Sequence, residues 1–207
     1  MTRIFDIFFS LLLLIFISPI LVIFMLLIYF QDKGSPFYIA PRVGINKTIF
    51  NIIKLRSMKI NADKIGVNST SINDDRITKL GHIIRKFKID ELTQLWNVLI
   101  GDMSLVGPRP NVLADVNLYT YEESKLLSTK PGITDFSSIV FSDEGQILKN
   151  KKNPDLAYNQ LIRPWKSRLG LIYIKNQSIL LDLQLIIYTL VALVAKHRAL
   201  FWVSKKI

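Results

Sequence analysis

The sequence predicts a mainly helical α+β protein, with a membrane helix in residues 1–33 and one compact domain in residues 34–207. Three observations predict it. Residues 7–30 carry no charge and are almost entirely Leu, Ile, Phe and Val. The whole net charge of +11 lies after residue 33, because Arg3, Asp6, Asp32 and Lys33 cancel. A stretch rich in β-formers is then followed by longer stretches of helical periodicity. A chain of 207 residues suffices for one domain and an appendage, not for two full domains.

Composition narrows the function classes. Half of the residues are hydrophobic and the mean hydropathy is +0.30, yet the pI is 9.8. A basic soluble nucleic-acid binder is normally less apolar, and a polytopic membrane protein less charged. With no cysteine and two histidines, disulfides, thiolate nucleophiles and Cys- or His-rich metal sites are excluded. Carboxylates, hydroxyls and lysines remain for chemistry.

The elements follow in order. The run from Ile7 to Phe30 is long enough to form a membrane helix. Asp6 beside it and the lack of a small-residue cleavage site argue against a signal peptide. Ser18-Pro19 interrupts the run, and proline there predicts a kink, with the serine hydroxyl at hand for the freed carbonyl. A straight span and a helix-break-helix returning to the same face both fit. The positive charge beyond residue 33 places the domain on the cytoplasmic side. Gly34-Ser35-Pro36 reads as a turn, and Pro36 to Met58 as short strands. Asn61 to Asp75, with Gly66 and Asn68, reads as a loop. Ile77, Leu80, Ile83 and Ile84 mark one helix; Leu92, Leu95, Trp96, Val98 and Leu99 mark the apolar face of the next. Helices are expected near Ala114 to Leu127 and Asp155 to Ile162, with a turn at Lys130-Pro131-Gly132. Ser178 to Ala195 is apolar but interrupted by Asp182 and Gln184, and it leads into Lys196, His197 and Arg198. It reads as interfacial or core-packed, not spanning.

Three stretches carry candidate chemistry. In the first, Arg85 to Asn97, a helix starting near Ile89 would place Asp90, Gln94 and Asn97 on one polar stripe opposite the apolar face. Arg85, Lys86 and Lys88 precede it, and a first-turn carboxylate or a phosphate is stabilised by exposed amides. Asp90 reads equally as an N-cap, with Glu91 a first-turn acid. In the second, Gly101 to Pro110, Pro108 and Pro110 flank Arg109 and aim it in one direction, as suits a guanidinium gripping a diphosphate or a solvated turn. The third, Lys54-Leu55-Arg56-Ser57-Met58 with Arg42 upstream, places basic residues at strand-like spacing. No glycine-rich phosphate loop or dinucleotide fingerprint is present.

The order of these motifs resembles the monotopic phosphoglycosyl transferases, bacterial sugar transferases that load a sugar phosphate onto a polyprenol phosphate. The matching residues run from Arg3-Ile4-Phe5-Asp6 and Ser18-Pro19 through Gly34-Ser35-Pro36-Phe37-Tyr38, Arg42-Val43-Gly44 and Lys54-Leu55-Arg56-Ser57-Met58. They continue in Arg76 to Gly81, Asp90-Glu91-Leu92, Gln94-Leu95, Asn97-Val98-Leu99, Gly101 to Pro110, Pro131 to Thr134, and Tyr173, Asn176, Ser178 and Asp182. The Asp-Glu pair followed by Gly101 to Pro110 is the most specific part.

The resemblance implies a broken helix that re-enters the cytosolic leaflet of the bacterial inner membrane, beneath a cytosolic domain of interfacial helices and short strands. It implies that Asp90 attacks the sugar-linked phosphorus of a UDP-sugar, releasing UMP, that Glu91 helps hold Mg²⁺, and that Arg85 and Arg109 contact phosphate. Pro108, Lys54, Arg56 and Arg42 complete the expected substrate-binding set, and Ser18 and Pro19 form the membrane break. The expected partners are a UDP-sugar, a polyprenol phosphate and the inner leaflet, with no nucleic acid; a homodimer is compatible. Three positions depart from the family pattern: Lys88 and Thr93 around the acidic pair, and the segment from Asp135 to Glu144. A non-catalytic, basic membrane-bound scaffold is the competing reading; it leaves the acidic pair among arginines unexplained.

Overall fold

The computed structural model describes residues 3–62 and 69–207. Gly66 and Asn68 of the expected loop lie outside them. Helix α1 (Arg3–Asp32) is followed by a hairpin of β1 (Phe37–Val43) and β2 (Ile49–Leu55). Helix α2 (Lys79–Lys86), a single 3-10 turn at Ile89–Glu91, helix α3 (Gln94–Ile100) and strand β3 (Ser104–Val106) come next. Helix α4 (Leu113–Val116) and a 3-10 segment at Glu123–Ser128 precede β4 (Gly132–Thr134). Helices α5 (Phe136–Val140), α6 (Glu144–Ile147), α7 (Pro154–Leu161), α8 (Arg163–Lys175), α9 (Ile179–Val194) and α10 (Lys196–Ser204) complete the chain.

In α1 the backbone stays helical from Arg3 to Asp32, with Pro19 inside. Proline 19 has no N–H for the carbonyl four residues earlier, and the Ser18 hydroxyl donates to that oxygen, Ile15 O, at 2.9 Å. The freed acceptor is satisfied without ending the helix. Helix α1 rests on the domain at both ends. At its start, Arg3 donates to Val98 O and Leu99 O at the end of α3, and buried Asp6 accepts from Ser104 Oγ and Leu105 N. At its end, Asp32 takes two 2.6 Å hydrogen bonds from Arg56. Between them Leu21 and Ile28 pack with Leu55 and Ile84, while Phe8, Ile15, Phe16 and Ile23 are exposed.

The β1–β2 hairpin is antiparallel in the register Phe37↔Leu55 to Val43↔Ile49, so alternation buries Ala40, Phe50 and Ile52 on one face, while Val43 and Leu55 are buried on the other. Strands β3 and β4 form a short parallel pair, Ser104↔Gly132 and Val106↔Thr134. A Cβ on Gly132 would fall 2.0 Å from Gly107 N, so glycine is required where these backbones meet. The main core joins α3, β3, α5, α8, α9 and α10 around Val98, Met103, Phe136, Tyr173 and Leu185.

The helix expected over 114–127 is two pieces. A reciprocal capping pair restarts the chain: Thr120 N donates to Glu123 Oε2 and Glu123 N to Thr120 Oγ1. Helix α9 spans 16 residues, about 24 Å and shorter than a hydrocarbon core of about 30 Å. It buries Leu181, Asp182 and Leu185 and exposes Leu180, Leu190 and Val194, as its interrupted sequence predicts. Helix α10 stacks Trp202 on Tyr188 and Phe136.

Candidate active site

The acidic pair lies in a turn that the backbone makes unusual. After α2 ends at Phe87, Lys88 takes a left-handed conformation (φ 56°, ψ 26°) and turns the chain into the 3-10 turn holding Asp90 and Glu91. Such a conformation is uncommon in a residue with a side chain and concentrates at functional sites. Helix α3 begins only at Gln94. The expectation of Asp90 in the first turn of a regular helix is therefore corrected. Its electrostatics come from burial and side-chain charges, not from a helix dipole.

The polar stripe is also corrected. Asp90, Gln94 and Asn97 do share a face, but it is buried, whereas Trp96 and Ile100 point outward. The cause is β2 lying against this face. Asn97 accepts from Ile53 N at 3.0 Å and donates to Asn51 O at 2.7 Å, and Thr93 Oγ1 donates to Ile53 O at 2.9 Å. The polar residues serve a strand edge that the sequence does not announce.

Glu91 is gripped from two sides. Its Oε1 accepts from Arg109 Nη2 at 2.7 Å and Lys54 Nζ at 3.3 Å. Burial opposes the charged form, but Arg109 and Lys54 outweigh it and hold the carboxyl well below the usual glutamate range. Asp90 goes the other way: burial pushes it up, against the pull of Lys54, Arg85 and Lys88. Neighbouring carboxyls are thus driven apart, a common property of sites that handle charge. Arg109 also donates to Ile133 O. Its loop is held by Gly132 N donating to Pro108 O at 3.0 Å and Gly107 N to Thr134 O at 3.0 Å.

The structure brings together Asp90, Glu91, Lys54, Arg85 and Arg109, with Pro108 as the backbone support of Arg109. Burial lowers the pKa of Arg42, on β1, and the charge of Arg109 lowers it further. Arg56 is placed elsewhere: both terminal nitrogens bind Asp32, and Nε donates to Ser35 O at 2.7 Å. It fastens the end of α1 to β2. Ser18 and Pro19 lie within α1, away from the acidic pair. Sequence reasoning missed Asp135, which is buried and acts electrostatically on Arg109. Its only local signal is Asp-x-x-Ser, since Asp135 caps α5 by accepting from Ser138 N at 2.8 Å. A cavity of 770 Å³ beside Asp32, Lys59, Asp74 and His82 does not include the acidic pair.

Among the described residues no group of three or more Asp, Glu or His side chains is arranged to hold a metal. Magnesium is commonly held by one or two carboxylates plus substrate phosphates. Asp90 and Glu91 fit that pattern, since Glu91 Oε1 alone takes the two ion pairs.

Residues 1–196 match the family described as bacterial sugar transferase. The chain belongs to the bacterial sugar transferase family. This sugar transferase is 32% identical over 205 residues to the exopolysaccharide production protein ExoY of Sinorhizobium fredii, covering 92% of the chain and 84% of that relative. It is 36% identical over 195 residues to an undecaprenyl-phosphate glucose phosphotransferase of Komagataeibacter xylinus, covering 91% of the chain and 35% of that relative. A putative undecaprenyl-phosphate N-acetylgalactosaminyl 1-phosphate transferase of Bacillus subtilis is 45% identical over 108 residues, or 52% of the chain. The chain's match covers 60% of the Bacillus protein's length.

Proposed function

We propose that this sugar transferase moves a sugar 1-phosphate from a UDP-sugar to a polyprenol phosphate of the undecaprenyl type, the first step of building a surface glycan. The observation that carries the reading is the buried Asp90–Glu91 turn, set among Lys54, Arg85, Lys88 and Arg109. A doubly charged diphosphate needs such cations around it, and a carboxylate beside it can serve as the nucleophile. The names of the relatives, which include an undecaprenyl-phosphate glucose phosphotransferase, support the acceptor class.

In the proposed reaction an Asp90 carboxylate oxygen attacks the sugar-linked phosphorus. The bond from that phosphorus to the bridging oxygen breaks, and UMP leaves with the electron pair. The resulting aspartyl phosphosugar is attacked at the same phosphorus by an oxygen of the polyprenol phosphate, and the carboxylate of Asp90 is released. Arg109 and Arg85 neutralise the non-bridging oxygens, and Lys54 keeps Glu91 ionised and in place. Magnesium, held by Glu91 with Asp90 alongside, would supply further neutralisation of the diphosphate.

The contacts of α1 support a monotopic placement on the cytosolic face of the inner membrane. A straight span would put its two ends on opposite sides of about 30 Å of hydrocarbon, whereas Arg3, Asp6 and Asp32 all bind the same domain. Its exposed apolar face then enters one leaflet, and the carrier phosphate meets Asp90 at the surface. The test is UMP release from UDP-sugars in carrier-containing membranes. Wild type releases UMP and Asp90→Asn does not; normal turnover by Asp90→Asn would refute the covalent step. Failure of the wild type with every UDP-N-acetylated deoxysugar, UDP-glucose and UDP-galactose would favour the scaffold reading.

A further inference from the structure

Three buried polar atoms without a hydrogen-bond partner lie close together along the chain, one in the turn before α3 and two at the first residue of α3, on its buried face: Asp90 Oδ1 and both amide atoms of Gln94. Gln94 is 0% exposed. Asn97, the next residue on that face, has its amide fully engaged with Asn51 O and Ile53 N, and Thr93 is engaged with Ile53 O. Contact with β2 therefore explains their polarity and leaves that of Gln94 unexplained. A buried amide with no partner destabilises a fold, and a leucine or methionine there would avoid the cost.

Direction supplies the missing partner. Side chains on a helix lean toward its N-terminus. Gln94 is the first residue of α3, so its side chain leans toward the preceding turn that holds Asp90. No hydrogen bond joins the two side chains, and enclosed polar groups without a protein partner are the usual setting of a bridging water. Asp90 Oδ2, by contrast, is not among the enclosed unpartnered atoms. The two oxygens of the nucleophile are thus unequal, with Oδ1 turned inward and Oδ2 toward the opening.

We propose that Gln94 is the positioning residue of Asp90. Its Nε2 donates to one buried water, which donates to Oδ1 and so aims Oδ2 at the phosphorus. This rests on Asp90 being the nucleophile. Gln94 touches neither substrate nor phosphorus; it sets the angle of the carboxylate that does.

The test is Gln94→Met in the full-length protein in carrier-containing membranes, assayed for UMP release with Asp90→Asn beside it. The thioether matches the length of the side chain and removes the unpaired amide. The melting temperature is expected to equal or exceed that of the wild type. The donor KM is expected to stay constant while kcat falls about ten- to hundredfold, the scale of misplacing a reacting group by about 1 Å. A kcat within twofold of wild type would overturn the proposal. Gln94→Leu covers a methionine variant that does not fold: it too lacks the amide, so the same fall in kcat at constant donor KM is expected, and a kcat within twofold of wild type overturns the proposal as well. If wild type releases no UMP, the nucleophile reading falls and takes this one with it. If wild type is active and Asp90→Asn is not, the Gln94 variants decide the positioning role alone.

Discussion

Replacing Arg109 by methionine tests the charge logic of the site, because the structure gives that arginine one dominant partner. Its Nη2 lies 2.7 Å from Glu91 Oε1, with each side chain about 20% exposed. Removing one member of a largely buried pair costs about 3–5 kcal/mol, since the other charge is left in a poor solvent. Lys54 remains 3.3 Å from the same oxygen and holds the loss near the lower end, about 3 kcal/mol. For a chain of this size that is a fall in Tm of roughly 6–12 °C. The pH dependence identifies the cause. Arg109 and Lys54 depress the Glu91 carboxyl below its ordinary value of 4.5. Such a group contributes stability that is present above 4.5 and is lost as pH falls toward the folded-state value. The gap between wild type and Arg109→Met is therefore widest at neutral pH and narrows as the medium is acidified below 4.5, where protonated Glu91 no longer needs the arginine. Thermal unfolding in detergent micelles from neutral to acid pH measures both curves. A gap that stays constant across the range would show that Arg109 stabilises through Ile133 O and packing, not through Glu91.

Other outcomes follow from single contacts. Asp90→Asn should raise Tm at neutral pH while abolishing UMP release, because burial disfavours the aspartate charge; a lowered Tm in a scanning unfolding measurement would contradict this. Arg56→Ala should cost about 1.5–3 kcal/mol of stability, the value of charged hydrogen bonds, read by denaturant titration, and leave the donor KM unchanged, since its guanidinium serves Asp32 and Ser35. Tyr173→Phe should also destabilise by about 1–3 kcal/mol, because Tyr173 OH donates at 2.8 Å to the fully buried Asp182; denaturant titration reads it. The chain has no cysteine, so Ile4→Cys and Lys33→Cys each introduce one thiol. Both should react with an impermeant maleimide from the same side of sealed vesicles, and labelling from opposite sides would establish a span.

The sequence by itself determined the chemistry available and where it lies along the chain. An uncharged run followed by a domain holding all eleven net charges separates one helix long and apolar enough to cross a membrane from a basic body, because burial in an apolar medium and solvation of charge cannot share a segment. The absence of cysteine leaves carboxylates, hydroxyls and lysines, and Asp90-Glu91 with Gly101 to Pro110 marks the candidate site through its resemblance to a family motif. The strands within 36–58 and the helix at 79–86 were legible because alternation and periodicity are local signals, whereas the pairing of β1 with β2 was not. What only the tertiary structure decided are the contacts made across long separations. Arg56 looks like a substrate cation until Asp32 is found beside it, and the 90/94/97 stripe looks solvated until β2 covers it. That the domain clasps both ends of the helix around Pro19 is likewise seen only in the tertiary structure. The partner of a charge, and which face of a helix is covered, depend on segments far away in the chain, and no window of sequence contains both.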